Sequence, residues 1–277
     1  MDSLVTITII LTFFATTFYT LRNSFAFEKY LFRVDNILID RQFYRIVTSG
    51  FLHNGWVHFG FNALSFYFFG QIVEASLPFY SYLLLYFGSL VGGSLLSLFI
   101  HRQHGDYSAV GASGAISGVM FAFAFLYPDS GIGMLFLPIH INAVIFCFLY
   151  TLISIYGIKR ALGNIGHDAH LGGAITGLLL AAILEPDILR LHWDTFLILL
   201  LPTVIFMTLI VLKPEIMLID RYTSYQFRRL REGKSEKKKV ASADPEVEIN
   251  RILDKINERG IESLTRSERK RLENAKL

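Results

Sequence analysis

Residues 113–127 read SGAISGVMFAFAFLY, fifteen residues without a charge. An apolar helix this short falls below the about 17–25 residues that cross a bilayer alone. Gly114 and Gly118 frame a G-x-x-x-G, the spacing that lets membrane helices approach closely. Such a face is poor against lipid and good against another helix. Residues 169–184, AHLGGAITGLLLAAIL, repeat the arrangement with Gly173 and Gly177. The two runs predict neighbouring helices at the centre of a membrane bundle.

Five further apolar stretches surround them, at residues 4–21, 56–73, 79–100, 134–158 and 196–212. The first has no basic run before it and no small-residue cleavage site after it, so it reads as a retained helix. Only 18% of the 277 residues are charged, against about 25% in soluble domains. Residues 1–212 carry 9 Lys/Arg and 11 Asp/Glu; residues 213–277 carry 17 and 12. This is an apolar body with a basic tail. Whole-chain disorder is excluded, and a single cysteine, Cys147, excludes a disulfide scaffold. The basic residues sit mainly in the tail, so no nucleic-acid partner is expected.

The expected organisation is an all-α integral membrane protein. Residues 1–190 form a six-helix core, 191–219 a seventh transmembrane helix, 220–245 a basic linker and 246–277 a small soluble helical hairpin. In the hairpin, Val247, Ile249, Ile252, Leu253 and Ile256 follow a helical period. Gly260 stops that helix, and Thr265 with Glu268 forms a capping box for the next.

Polar groups inside a membrane bundle are candidates for function. Three clusters stand out. His58 and Asn62 share one helical face, with His53 just before them. Ser113 opens the helix of residues 113–127, where free backbone N–H groups point outward. His167, Asp168 and His170 open the sixth span, and His170 shares the face of Gly173 and Gly177. If the two glycine faces meet, Ser113 and His170 come together at one end of the bundle. A serine becomes a nucleophile when a base lies within hydrogen-bond reach. His58, Asn62 and the Ser113 amide are the donor types that an oxyanion needs. H-E-x-x-H is absent, and no carboxylate-rich third site completes a zinc set around the histidines, so neither metal nor cofactor is expected.

At these residues the chain resembles the rhomboid family of intramembrane serine proteases. The likeness covers roughly residues 4–190. It is carried by residues 43–62 (FYRIVTSGFLHNGWVHFGFN), by Gly111-Ala112-Ser113-Gly114, and by Ala169-His170-Leu171-Gly172-Gly173 with Gly177. The resemblance implies a six-helix core with Ser113 as nucleophile and His170 as general base. It also implies an oxyanion hole of His58, Asn62 and the Ser113 amide. Residues 22–55 would be the family's membrane-embedded first loop, with Arg45 as its arginine. Two departures are visible: Tyr44 stands where the family often has Trp, and Ser117 stands where an aromatic commonly packs on the histidine. Asp168 is a tempting third member, but two residues from His170 it would point elsewhere on a helix, and the family works as a dyad.

The implied activity is cleavage of transmembrane or juxtamembrane segments of membrane proteins, in a bacterial cell membrane and in contact with its lipids. The alternative is a non-proteolytic protein that binds transmembrane helices. A transporter is disfavoured because the polar residues gather at helix starts. Seven spans would put every Lys/Arg except Arg190 on the side of Ser113, which the positive-inside rule makes cytoplasmic. The resemblance implies the opposite side for the common bacterial type. Failure of residues 196–212 to span would remove that conflict.

Overall fold

The computed structural model describes residues 3–133, 140–160, 166–212 and 245–274. They belong to two compact units that divide after Met217. The first unit begins with α1 (Leu4–Thr20), followed by short α2 (Ser24–Tyr30), β1 (Phe32–Arg33), α3 (Val34–Leu38) and α4 (Arg45–Thr48). Then come α5 (Trp56–Ser76), α6 (Phe79–His101), β2 (Ser108–Ala109) and α7 (Ser113–Leu126). The strands β3 (Gly131–Gly133) and β4 (His140–Asn142) precede α8 (Ala143–Arg160), α9 (His167–Leu184), α10 (Pro186–Leu191) and α11 (Trp193–Leu212). By length and composition alone, α6 and α9 are apolar enough to cross a membrane among the described residues.

The bundle is organised around α7. Every residue from Gly114 to Phe125 is buried, so this helix has no solvent or lipid face over that run. At about 1.5 Å per residue it is about 21 Å long, short of the about 30 Å hydrocarbon core. Its glycine face meets that of α9 as expected. A β-carbon on Gly173 would overlap the Gly114 carbonyl, and one on Gly177 would overlap the Gly118 backbone. A third helix joins them, because β-carbons on Gly92 and Gly93 of α6 would collide with Thr176 and with the Ala169 carbonyl. That contact was readable: Gly88 and Gly92 form another G-x-x-x-G, inside the stretch of residues 79–100.

The stretch expected as one long loop, residues 22–55, is instead a chain of short elements held from inside. Arg45 is 5% exposed, and among the described residues its guanidinium has no carboxylate partner. It donates to Gln42 Oε1 at 2.7 Å and to the carbonyls of Glu28 at 2.8 Å and Leu31 at 2.7 Å. Arg suits this task because its fixed fork carries several donors in different directions. β1 then pairs antiparallel with β2, Phe32 opposite Ala109 and Arg33 opposite Ser108, which ties this segment to the chain entering α7.

The fifth span differs from expectation at its start. Residues 140–142 pair with β3, and the helix begins at Ala143, where Asn142 Oδ1 accepts from the Val144 and Ile145 amides. An apolar run alone does not mark this boundary; the capping asparagine does. Residues 134–139 lie outside the described residues, as do residues 213–219 of the expected seventh span and most of the linker. The described part of that span, α11, has 20 residues and Pro202 inside it. Its length of about 30 Å matches a hydrocarbon core.

The second unit contains α12 (Pro245–Arg259), a 3₁₀ turn at Ile261–Ser263 and α13 (Arg266–Asn274). Pro245, expected as the last linker residue, opens α12. Gly260 takes φ +76°, a conformation open to glycine at low cost, and the helix stops before it. Among the described residues of this unit, Ile252 and Leu264 are buried and apolar. The capping box forms: the Thr265 amide donates to Glu268 Oε2 at 2.8 Å, and the Glu268 amide donates to Thr265 Oγ1 at 3.3 Å. Lys255 Nζ reaches both carboxylate oxygens of Glu268, at 3.1 and 2.9 Å.

Candidate active site

Ser113 is the first residue of α7 and His170 the fourth of α9. Backbone contact at Gly114 and Gly173 brings their side chains together, with Ser113 Oγ 2.7 Å from His170 Nε2. A neutral imidazole with its proton on Nδ1 accepts the serine proton at Nε2 in this geometry. Both residues are half-buried, so the pair sits at the start of helices and not in the sealed centre.

His58 and Asn62 converge on the same end from α5. Gly111, two residues before Ser113, takes φ +125° and donates its amide to the Ser49 carbonyl at 3.0 Å. A β-carbon there would lie 2.8 Å from His58 Cε1 and Nε2 and 3.8 Å from Asn62 Nδ2. Glycine is required on both counts, for its conformation and for the space. Asn62 Nδ2 donates one proton to the His58 carbonyl at 3.1 Å, which leaves a second amide proton. His58 Nδ1 meets Asn54 Oδ1 at 2.9 Å. To donate from Nε2, His58 must be the imidazolium or face an Asn54 amide turned nitrogen-first. His53 packs its ring edge on His58 at 5.1 Å between centroids and bonds Thr17 Oγ1 of α1 through Nδ1 at 2.9 Å.

Asp168 does not join this group. It is 4% exposed and turns away from His170 to accept from Ser97 Oγ and from the Tyr107 hydroxyl, at 3.3 Å for the latter. His101 Nε2 lies 3.3 Å from Asp168 Oδ2, the oxygen that also accepts from Ser97, with its ring stacked on Tyr107 at 3.5 Å. The two-residue offset on a helix explains this, because it rotates a side chain by about 200°. Among the described residues, no group of histidine, cysteine and carboxylate side chains is placed to hold a metal ion.

Sequence reasoning missed three contacts around the pair. The Tyr150 ring of α8 lies along the His170 ring, the His167 edge meets it from another side, and Ser117 links Tyr150 to the backbone of Ser113. The His167 contact was available from the i, i+3 spacing. The Tyr150 contact was not, because it joins two helices across the bundle.

Apolar helices with histidine, asparagine and serine gathered at one end fit the bundle of an integral membrane protein, and the family match makes it one. Residues 40–186 match the Rhomboid domain, and the chain belongs to the rhomboid family. Residues 236–275 match a second model, a family of unknown function (DUF6576). The chain is 31% identical over 137 residues to Rhomboid protein 1, mitochondrial, of Saccharomyces cerevisiae, covering 48% of this chain and 40% of that protein. It is 35% identical over 153 residues to RHOMBOID-like protein 1 of Arabidopsis thaliana, covering 54% and 36%. It is 30% identical over 150 residues to Rhomboid protease GluP of Bacillus subtilis, covering 54% and 28%. The matched part is thus two fifths or less of the length of these three relatives.

Proposed function

We propose that this protein is an intramembrane serine endopeptidase that cuts transmembrane or juxtamembrane segments of other membrane proteins. The observation that carries the reading is the 2.7 Å contact between Ser113 Oγ and His170 Nε2 in a family that includes a named rhomboid protease. In this reading Ser113 Oγ attacks the scissile carbonyl carbon while its proton passes to His170 Nε2. The new oxyanion is met by the Ser113 amide, Asn62 and His58. The imidazolium then protonates the leaving amine, the C–N bond breaks, and an acyl-enzyme remains on Ser113. Water, deprotonated by His170, releases the acid and restores the serine.

The half-buried state of Ser113, His170 and His58 supports access for water and for an unwound substrate segment. Substrates are membrane proteins, in contact with the surrounding lipid. The bacterial cell membrane is the proposed location, on the likeness to the Bacillus subtilis protease. The domain reading keeps residues 1–190 as the catalytic core and residues 246–277 as a separate appendage.

The test is cleavage of a transmembrane reporter in proteoliposomes by wild type, Ser113→Ala and His170→Ala, with fluorophosphonate labelling of Ser113 alongside. Both substitutions should remove cleavage, and Ser113→Ala should remove labelling. Cleavage that survives Ser113→Ala overturns the dyad. Absence of both cleavage and labelling in wild type favours a helix-binding protein instead.

A further inference from the structure

The imidazole of His170 has two rotatable bonds, and only a narrow range of them aims Nε2 at Ser113. Something must hold the ring. Its hydrogen bond to Ser113 cannot do so alone, because that bond is given up when the imidazolium protonates the leaving amine and Ser113 Oγ carries the acyl group. The ring needs support from its face, by a group that takes no part in proton transfer.

Tyr150 of α8 is placed to give that support. Its ring lies 5.9 Å from the His170 ring between centroids and 24° from parallel, an offset-stacked arrangement. The Tyr150 hydroxyl is 2.7 Å from Ser117 Oγ, and Ser117 Oγ is 2.7 Å from the Ser113 carbonyl. The direction of this chain follows from its end. A carbonyl only accepts, so Ser117 donates its single proton to Ser113, and Tyr150 must donate to Ser117. The phenol is therefore fixed at both ends of its long axis, by α8 at its root and by α7 at its hydroxyl.

Ser117 explains why the ring comes from another helix. It lies four residues after Ser113, on the same face, and helical side chains lean back toward the N-terminus. Any side chain at 117 therefore leans toward the pocket. A serine fills little of that space and reaches only the backbone. The unfilled volume beside His170 admits a ring from α8, and the serine hydroxyl gives the phenol a partner there.

We infer that Tyr150 is the positioning residue for His170, with Ser117 as its hydrogen-bonded anchor on the nucleophile's helix. This rests on the reading of Ser113 and His170 as the dyad. Proton transfer to and from His170 then depends on where α8 sits, although α8 contributes no group that touches the reacting atoms.

The test uses the full chain in proteoliposomes with the same reporter. Tyr150→Leu keeps bulk and loses the flat ring and hydroxyl; kcat should fall about tenfold, with KM within about twofold. Tyr150→Phe keeps the ring and should fall less than Tyr150→Leu. In the exchange variant, Tyr150→Ala with Ser117→Phe, the ring returns from α7, and kcat should exceed that of Tyr150→Ala alone. Thermal unfolding of each variant in detergent separates loss of fold from loss of position. A Tyr150→Leu protein with wild-type kcat overturns the inference. So does a loss confined to KM, or an exchange variant that folds as wild type does and cleaves no better than Tyr150→Ala. Failure of the dyad itself shows separately, as wild type that does not label at Ser113 or as cleavage by Ser113→Ala.

Discussion

A single methyl group on Gly173 should silence the site without touching it. The β-carbon of Gly173→Ala overlaps the carbonyl oxygen, carbonyl carbon and α-carbon of Gly114. These are backbone atoms, so no rotamer change relieves the clash. The helices α7 and α9 must part, by roughly 1 Å, and Gly173 lies less than one turn beyond His170 on the same face. Ser113 Oγ and His170 Nε2 start at 2.7 Å, so the opening carries them past the hydrogen-bond range. A misplacement of about 1 Å in a reacting pair costs on the order of 10²-fold in rate. Overpacking adds a loss of about 1–3 kcal/mol in stability. The assay is reporter cleavage and the rate of fluorophosphonate labelling, read beside thermal unfolding in detergent. Gly60→Ala is the control: nothing lies within 4 Å of a β-carbon there. It should leave cleavage at wild-type rate and add about 0.5–1 kcal/mol to the helix. Wild-type labelling and cleavage by a normally folded Gly173→Ala protein would refute the argument that backbone contact sets the Ser–His distance.

Asp168→Ala leaves Ser97, Tyr107 and His101 facing a lost acceptor, and should cost roughly 3 kcal/mol in thermal unfolding. Arg45→Ala removes three hydrogen bonds that hold residues 28–45 together, and limited proteolysis should then cut this segment faster; Arg45→Lys should recover only part, since an ammonium lacks the fork. In the appendage, Lys255 and then Thr265 hold the Glu268 carboxyl down from its ordinary 4.5 to about 2. A lowered folded-state pKa means the contribution is whole above pH 4.5 and is lost as pH falls from there toward 2. The distance between spin labels at Asn257 and Lys270 should broaden over that window, and Glu268→Gln should abolish the pH dependence.

Much of the site was legible because its determinants are local. The two G-x-x-x-G faces predict that α7 and α9 touch, and the positions of Ser113 and His170 on those faces predict that they meet. His58 and Asn62 follow from a spacing of four, as does the tail's capping box from Thr265 and Glu268. What stayed hidden is what depends on the third dimension. The two-residue offset of Asp168 from His170 already turns it away from the pair, but its partners Ser97 and His101 on α6 could not be read from the spacing. Tyr150 is one aromatic among many in an apolar run, and nothing in its neighbours marks it. The fold of residues 22–55 depends on carbonyls reached by Arg45, and carbonyls leave no trace in a sequence.

The inner trio α6, α7 and α9 meets backbone to backbone, with glycine where side chains would stand. Such a core holds no reserve for redesign: a larger residue has nowhere to go, and a smaller one does not exist. In the proposed protease, changes of specificity must therefore be written on the outer helices α5 and α8, at positions other than His58, Asn62 and Tyr150. An engineer seeking a new cleavage preference should leave the glycine ladder alone and vary the rim.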